Sequence, residues 1–396
     1  MKDINHVSFL EKRVLLRVDF NVPLDDCFNI TDDSRMQAAI PTIKKIINDG
    51  GRCILLSHFG RPKKGFETRF SLKHLVKHLS FLLNQPVGFS PDCIGEKTLV
   101  DVKAMQPGDV LILENLRFYP QEESGDTNFA KELASFGDIY INDAFGAAHR
   151  AHASISVIAN YFPNNKYFGL LLKKEVSNLE RVVKKPKRPF TAIIGGAKIT
   201  GKIDVINSLF NRVDSLIIGG GMAYTFIKAM GGNIGNSLVE EDQVDLAKKL
   251  IITAKKRGIN LLLPVDSVNA NSLKNDAKIT VSEIGNIPTS FIGLDIGNES
   301  VNLFSKTIMN SKTIVWNGPM GVFEMERFSL GTRKIAEAVC RVTEDGAFSL
   351  VGGGDSVAAI TKFHLIKKVS YASTGGGAML RYLEGRALPG LVAIEG

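Results

Sequence analysis

An alternation of short apolar runs with helical patterns is the feature that most constrains this sequence. Cys53–Ser57, Val110–Leu113 and Ile139–Asn142 are such runs in the first half, and Thr191–Ile194 and Thr313–Trp316 are examples in the second. Strands that alternate with helices predict parallel, doubly wound sheets, whose ligands bind beyond the carboxyl ends of the strands. The residues that follow each run are therefore the first place to search for a site.

The segment Phe168–Val183 predicts a helix that bridges two bodies, because its apolar residues recur at helical spacing and no helix breaker follows Gly169. The Lys/Pro run Lys184–Pro189 comes next, so a domain boundary is expected between about Gly169 and Pro189. We therefore expect an α/β fold of two doubly wound parallel-sheet (Rossmann-like) domains, separated by a cleft and joined by a hinge helix.

Charged and polar side chains follow the apolar runs of the first half. Val14–Pro23 alternates, with Leu16, Val18 and Phe20 on one face and Arg17, Asp19 and Asn21 on the other. The other predicted strand ends carry His58, Arg61, Arg117, His149, Arg150 and His152. Several cations at one edge repel each other unless an anion or carboxylates lie between them, and guanidinium groups suit phosphate and carboxylate.

This half is therefore interpreted as a pocket for a small anion with more than one charged group. Half-buried strands with solvated faces and surface ion pairs remain the alternative for each residue alone. His149 and His152 lack zinc-ligand spacing and are expected to pack or to form hydrogen bonds. Asp32–Asn48 predicts a helix capped by Asp32 or Asp33, and Arg35 in its first turn opposes the helix dipole, which suggests another use for that cation.

Glycines follow the apolar runs of the second half. Phe348–Val351 leads into Gly352-Gly353-Gly354, Asp355 and Ser356 and then a helical pattern, and similar loops contain Gly195, Gly219–Gly221 and Gly375–Gly377. Such turns let backbone N–H groups approach phosphate, and Asp355 offers an oxygen ligand for a phosphate-bound Mg²⁺. On one loop alone, a tight connection with an Asp/Ser cap is an equal interpretation; the row of loops favours a nucleotide.

Two nucleotide motifs are excluded. Gly196–Lys202 matches G-x-x-x-x-G-K, but Ile203 stands where a P-loop needs a Ser or Thr that binds Mg²⁺. Lys198 and Lys202 still suit phosphate, although either could be a solvated helix residue. The dinucleotide fingerprint is absent from the first strand–helix turn of either half, which disfavours a nicotinamide-dependent oxidoreductase.

The net charge of +8 allows nucleic-acid binding or a cationic pocket for a small anion. The densest basic cluster, Lys184–Arg188, contains proline and no aromatic residue, so a solvated connection is favoured over a nucleic-acid surface or a basic binding module. The sequence has no apolar run of membrane-spanning length and begins without a signal-peptide pattern. Four cysteines, with no CxxC pair, predict free thiols in a reducing compartment, the cytoplasm.

Taken together, the motifs closely resemble those of the phosphoglycerate kinase family. They occur in family order over essentially the whole chain: RVDFNVP at Arg17–Pro23, SHFGRP at Ser57–Pro62, LENLRF at Leu113–Phe118, NDAFGAAHRAHAS at Asn142–Ser154, GGAKITGKI at Gly195–Ile203, LPVD at Leu263–Asp266, WNGPMGVFE at Trp316–Glu324, GGGDS at Gly352–Ser356 and STGGGA at Ser373–Ala378. No single motif is specific, but together they are.

The resemblance implies reversible, Mg²⁺-dependent phosphoryl transfer between ATP and 3-phosphoglycerate, giving ADP and 1,3-bisphosphoglycerate, in glycolysis. It implies a 3-phosphoglycerate-binding domain at residues 1–170, a nucleotide-binding domain at 171–380 and a segment at 381–396 that returns to the first domain. It further implies a cytoplasmic, hinge-bending monomer whose partners are these small molecules, without nucleic acid or membrane.

The resemblance also implies roles for individual residues. The non-reacting phosphate would be held by His58, Arg61, Arg117 and Arg150, and the glycerate by Asp19 and Asn21. Arg35 and Lys198 would be catalytic and neutralise the transferring group, with Gly375, Gly376 and Gly377 nearby. The nucleotide would be bound by Lys198, Lys202, Gly293, Glu324, Gly353, Gly354, Asp355 and Ser356, with Asp355 on the metal. Gly201 and Ala147 depart from the residues common in the family at those positions.

Overall fold

The computed structural model describes residue 2, residues 4–63 and residues 65–396. Its contacts divide the chain into two units: Met1–Ser177 with Ala387–Gly396, and Asn178–Arg386. The predicted boundaries, at residues 170 and 380, lie a few residues earlier. We call these unit 1 and unit 2 and describe each by itself.

Strands and helices alternate along most of the chain. The strands are β1 (Arg13–Arg17), β2 (Arg52–Leu56), β3 (Gly88–Ser90), β4 (Val110–Leu113), β5 (Ile139–Asn142), β6 (Lys166–Phe168), β7 (Phe190–Ile194), β8 (Ser215–Ile218), β9 (Asn233–Ile234), β10 (Asn260–Leu262), β11 (Asp266–Ala270), β12 (Ile279–Glu283), β13 (Asn286–Ile287), β14 (Ile292–Ile296), β15 (Thr313–Asn317), β16 (Phe348–Gly352) and β17 (Tyr371–Ser373). The α-helices are α1 (Ser34–Asn48), α2 (Lys73–Leu83), α3 (Gly95–Ala104), α4 (Pro120–Ser124), α5 (Thr127–Ala134), α6 (Leu170–Val183), α7 (Ile203–Leu209), α8 (Met222–Ala229), α9 (Val244–Lys256), α10 (Asn298–Met309), α11 (Leu330–Glu344), α12 (Gly354–Lys362), α13 (Gly376–Leu383) and α14 (Pro389–Glu395).

Unit 1 contains a six-stranded parallel sheet in the order β3-β4-β2-β1-β5-β6. Strand β1 lies between β2 and β5, so Val14 pairs with Cys53 on one side and with Ile139 on the other. The sheet is covered on both faces, and β4 and β5 are buried at every position. The predicted doubly wound parallel sheet is confirmed.

Strand β1 is shorter than its alternating sequence suggests. It ends at Arg17, so Asp19 and Asn21 lie in the loop that follows rather than in the strand. Val18 and Phe20 remain buried, which explains why the alternation continues past the last paired residue. Arg17 is itself fully buried rather than part of a solvated face.

Unit 2 contains a second six-stranded parallel sheet, in the order β10-β8-β7-β15-β16-β17. A three-stranded antiparallel sheet, β12-β11-β14, and a pair of short parallel strands, β9 and β13, accompany it. Trp316 on β15 is fully buried in the core of this unit with Phe304 and Ile335 from helices α10 and α11. Both parts of the predicted α/β fold are therefore present.

Helix α6 carries the chain from unit 1 into unit 2, since the division falls between Ser177 and Asn178. Leu172, Val176 and Leu179 recur at helical spacing and are buried. The first turn is capped from unit 1: the Leu172 amide donates to Asp143 Oδ1 at 2.9 Å, and the Leu170 amide donates to Thr42 Oγ1 at 3.0 Å.

The C-terminal helix α14 packs in unit 1. The Gly390 amide donates to the Ala148 carbonyl at 2.9 Å, and Asn142 Nδ2 donates to the Gly390 carbonyl at 3.3 Å. A side chain at Gly390 would lie 2.9 Å from Ile155 Cγ2, so this close approach requires glycine. Within the described residues, no helix combines the length and hydropathy needed to span a membrane.

Candidate active site

Four adjoining strands of unit 1 bring its predicted site residues to one edge of the sheet. Asp19 and Asn21 follow β1, His58 and Arg61 follow β2, Arg117 follows β4, and Arg150 follows β5. Because β4, β2, β1 and β5 are neighbours and parallel, their carboxyl ends meet at the same edge. Arg35 comes to this edge from the first turn of α1.

Arg35 is held by the loop after β1. Its Nη1 donates to Asp19 Oδ2 at 3.2 Å and to the Asn21 carbonyl at 3.1 Å. Asn21 Oδ1 in turn accepts from the Gly60 amide at 2.8 Å, which joins the loops after β1 and β2. These contacts fix the direction of the guanidinium, which explains a cation placed in the first turn of a helix.

Arg17 fixes the imidazole of His58. Arg17 Nη2 lies 3.2 Å from His58 Nδ1, and because a guanidinium only donates, Nδ1 must accept and the proton must lie on Nε2. Burial, followed by the charges of Arg17, Arg117, Arg150 and Arg35, holds the pKa of His58 well below its usual value. His58 is therefore a neutral hydrogen-bond donor, and Arg17 itself is anchored by Ser154 Oγ at 2.9 Å and by the Val18 carbonyl.

Arg117 is buried beside the loop after β2. Its Nη1 donates to the Gly60 carbonyl at 2.6 Å, and Nε lies 3.1 Å from Glu123 Oε1, an ion pair without hydrogen-bond geometry. Burial and the charge of Arg150 lower the pKa of Arg117 to about 10. The mutual effects of these arginines indicate a positive potential concentrated at one edge.

The segment after β5 carries His149 and His152 as well as Arg150. His152 Nδ1 lies 3.8 Å from Glu122 Oε1, and burial followed by the charge of Arg150 lowers the pKa of His152 to about 4. Glu122 is fully buried and accepts from both the amide and the hydroxyl of Ser154, at 2.9 and 2.6 Å. This buried carboxylate therefore stabilises the segment from the interior of unit 1.

Unit 2 presents mainly glycine-rich backbone at the equivalent edge. The loop after β16 turns at Gly353, whose φ of +100° favours glycine, and a Cβ there would lie 2.5 Å from Asn317 Nδ2. Asn317 Nδ2 donates to the Gly352 carbonyl at 2.7 Å, and the Gly318 amide donates to Ser356 Oγ at 2.5 Å. The loops after β15 and β16 are thus tied together, and Gly354 and Asp355 begin α12.

Lys198 and Lys202 lie on the loop after β7 and differ in environment. Lys198 is exposed, whereas Lys202 Nζ donates to Asn317 Oδ1. Burial lowers the pKa of Lys202 to about 8, against the opposing effect of the Asp355 carboxylate, which indicates that Asp355 lies near this lysine.

A cavity of about 260 Å³ lies beside these loops in unit 2. Gly293, Glu324 and Asp355 line it together with Tyr224, Leu238 and Met320. Its lining is mostly apolar and also includes Glu324 and Asp355, a composition that suits a base attached to polar groups. Lys362, at the end of α12, donates from Nζ to the carbonyls of Phe323 and Glu324, each at 2.9 Å, and so holds the loop of Glu324.

The glycines after β17 lie against the loop after β16. A Cβ at Gly376 would be 2.9 Å from the Gly353 Cα, so Gly376 must be small for the two loops to approach. Gly375 is held by Ser373 Oγ, which accepts from its amide at 3.3 Å, and Gly377 is exposed in the first turn of α13. The structure therefore brings the glycine loops of β7, β15, β16 and β17 to one edge.

Several residues at these edges received no role from the sequence. Asn317 and Met320 lie in the motif Trp316–Glu324 without an assigned role, and Tyr224, Leu238 and Lys362 lie outside the motifs; the structure brings all five beside residues distant in the sequence. Arg17 was part of the alternating pattern, but nothing in that pattern distinguishes an arginine that faces solvent from one buried behind a histidine.

The family model of phosphoglycerate kinase matches residues 4–386. A phosphoglycerate kinase of Porphyromonas gingivalis is 50% identical over 417 residues, covering 99% of this chain and 100% of that protein. A phosphoglycerate kinase of Chlorobium phaeobacteroides is 51% identical over 394 residues, covering 100% of this chain and 99% of that protein.

Solved structures are similar over the same length. The structure of phosphoglycerate kinase from Coxiella burnetii has a TM-score of 0.88 and 41% identity, covering 99% of this chain and 98% of that one. That from Pyrococcus horikoshii has a TM-score of 0.87 and 31% identity, covering 100% and 98%.

Proposed function

The chain belongs to the phosphoglycerate kinase family, whose role is the reversible phosphoryl transfer of glycolysis, and from that membership we propose how its residues carry out the reaction. The cationic edge of unit 1 binds 3-phosphoglycerate or 1,3-bisphosphoglycerate, and the glycine-rich edge of unit 2 binds Mg²⁺ with ATP or ADP. The observation that carries this proposal is the arginine set around His58, because guanidinium groups that converge on one edge suit a phosphate ligand, even with Asp19 and Glu123 paired to two of them.

On unit 1, the non-reacting phosphate is bound by His58, Arg61, Arg117 and Arg150. His58 contributes a neutral Nε2–H donor because Arg17 occupies Nδ1, while the arginines supply charge and paired donors. Asp19 and Asn21 contact the glycerate part. The loop bonds among Arg35, Asp19, Asn21 and Gly60 support a site that is ordered before the substrate arrives.

On unit 2, the base occupies the cavity lined by Tyr224, Leu238 and Gly293, and Glu324 accepts from the ribose hydroxyls. Lys202 and the backbone of Gly353, Gly354 and Ser356 bind the phosphates at the start of α12, whose dipole favours anions. Asp355 fits a Mg²⁺ ligand, because Mg²⁺ is commonly held by one or two carboxylates together with substrate phosphates. The bound ion would supply positive charge that offsets the charge of the phosphates.

The chemical step needs positioning more than acid–base catalysis. The acceptor is a carboxylate, ionised at neutral pH with a reference pKa of about 4, so no base must remove a proton. Arg35 and Lys198 offset the charge spread over the transferring phosphoryl group, and the Gly375–Gly377 loop lies near that group. Hinge closure about α6 brings the two edges together and excludes the water that would hydrolyse ATP or the acyl phosphate.

In this proposal the substrates, which are small molecules, are the only binding partners of the protein. We propose a monomer in the cytoplasm that binds neither nucleic acid nor membrane; the four free thiols, Cys27 among them, suit a reducing compartment. Sedimentation of the protein as a dimer, or retention on RNA at physiological salt, would contradict this part.

A coupled assay of ATP consumption tests the proposed roles. Consumption is expected to depend on 3-phosphoglycerate, and Lys198→Ala or Arg35→Ala should each lower kcat by about 10²-fold or more, because each acts on the transition state. Lys248→Ala, an exposed lysine on α9, is the matched control and should keep the wild-type kcat. An unchanged kcat in either site variant would refute that residue's role.

A further inference from the structure

The loop that carries Lys198 and Lys202 is held by a carboxylate from elsewhere in the fold. Glu240 Oε2 accepts from the Ile199 amide at 2.5 Å and from the Thr200 amide at 3.4 Å. Its other oxygen, Oε1, accepts from the Thr200 hydroxyl at 2.5 Å. One side chain therefore bonds both Ile199, which follows Lys198, and Thr200, which begins the turn Thr200–Lys202.

Glu240 is itself anchored. Its amide donates to Thr225 Oγ1 at 3.2 Å, and Thr225 is buried on α8. The chain of contacts thus runs from the core helix α8, through Glu240, to the backbone between the two lysines. The bonded amides belong to a turn that lacks a side-chain cap of its own and leads directly into α7, so an outside acceptor takes the place of a cap.

The loop has a specific need for such a support. Gly201 lies between the bonded residues and Lys202, with no left-handed φ and with no atom within 4 Å of the position that a Cβ would occupy. Neither sterics nor backbone conformation therefore requires glycine there, and glycine leaves the backbone more freedom than alanine would.

We propose that Glu240 is a positioning residue that orders the Lys198–Lys202 loop for phosphoryl transfer. This inference rests on the proposed role of Lys198. Glu240 touches no substrate; it reduces the conformational freedom that Lys198 must otherwise lose when the transition state forms. Its removal is expected to lower kcat more than it raises the KM for 3-phosphoglycerate, because that substrate binds to unit 1.

The test compares Glu240→Ala with Glu241→Ala in the coupled assay. Glu241 is the next residue and makes an exposed ion pair with Lys228 at 2.5 Å, so it is a matched control. Glu240→Ala should lower kcat by about tenfold with the KM for 3-phosphoglycerate within about twofold, and Glu241→Ala should match the wild type. Equal kcat values for Glu240→Ala and wild type would overturn the proposal.

Two further variants distinguish ordering of the loop from a loss of general stability. Gly201→Ala restricts the same backbone independently, so combining it with Glu240→Ala should recover part of the lost kcat. Thr200→Val removes only the hydroxyl contact and should lower kcat by about threefold with an unchanged melting temperature. If Gly201→Ala recovers no kcat and Thr200→Val loses none, Glu240 does not act through the loop, even if Glu240→Ala lowers activity.

A double-mutant cycle separates this inference from the proposed function. In a Lys198→Ala background, Glu240→Ala should cause almost no additional loss of kcat, because the group that it positions is absent. The same loss in both backgrounds would overturn the inference alone. Wild-type kcat in Lys198→Ala itself would overturn the proposed role of Lys198, whatever Glu240 does.

Discussion

The arginines around His58 show how a residue's neighbours determine its chemistry. An isolated histidine titrates near pH 6.5, but burial and the four guanidinium groups around His58 keep it neutral well below that pH. The contact with Arg17 then selects which ring nitrogen carries the proton. A histidine in a cationic site thus serves as a fixed donor rather than as an acid or base.

Lys362 provides a prediction at this scale. Because it holds the carbonyls of Phe323 and Glu324, Lys362→Met should free the loop of Glu324 and raise the KM for ATP by about threefold to tenfold, with kcat within about twofold. The wild type should bind 3′-deoxy-ATP more weakly than ATP, and the variant should lose much of that difference. Steady-state kinetics with ATP and with 3′-deoxy-ATP measures this difference in the wild type and in the variant.

Lys367→Met is the control for this prediction, since Lys367 is exposed in the turn that follows α12. The control should discriminate between the two nucleotides as the wild type does. A Lys362→Met enzyme with undiminished discrimination would show that this lysine does not act on the ribose contact.

The sequence indicates the residues proposed to bind ligands more readily than the residues that support them. His58, Arg61, Arg117 and Asp355 stand in motifs at strand ends, where parallel topology alone brings them to an edge. Glu240 is 41 residues from Ile199 in the sequence, and Lys362 is 38 from Glu324, so only the folded chain reveals those contacts.

At the scale of elements, the first turn of helix α6 is hydrogen-bonded to a buried carboxyl group. Asp143 Oδ1 accepts from the Leu172 amide, and burial raises the pKa of Asp143 to about 7. Its other oxygen, Oδ2, is buried without a hydrogen-bond partner in the structure. The first turn of the bridging helix is therefore coupled to protonation.

Asp143→Asn tests this coupling. Since the folded pKa of about 7 exceeds the unfolded value of about 4, the native state binds more protons between these pH values, and the free energy of unfolding falls as the pH rises. The uncharged amide removes this dependence. Between pH 5 and pH 7, the free energy of unfolding of the variant should rise by about 2 kcal/mol relative to that of the wild type, as measured by denaturant unfolding. Parallel pH profiles would contradict it.

The strands that lead into the candidate site and the bridging helix follow from sequence patterns because apolar periodicity reports burial directly, whereas the antiparallel sheet β12-β11-β14 was not predicted. The exception is β1, where Val18 and Phe20 stay buried after the ladder has ended at Arg17. Alternation reports which residues face the core, but it cannot report where a strand loses its neighbour. The end of a strand therefore had to come from the structure.

At the scale of the whole molecule, the chain passes between the units twice. It crosses within α6 and again between Arg386 and Ala387, before α14 joins unit 1. No periodicity in residues 381–396 could have indicated that return, because the contacts of Gly390 lie with Asn142 and Ala148. The chain therefore joins the two units at two places.

The proposed mechanism requires the edges of the two units to act on one phosphoryl group. Small-angle X-ray scattering with 3-phosphoglycerate and a Mg²⁺-bound non-hydrolysable ATP analogue tests this most directly. The radius of gyration should be smaller with both ligands present than with either alone. An identical radius in all of these states would contradict closure, and with it the claim that Arg35 and Lys198 meet at the transferring group.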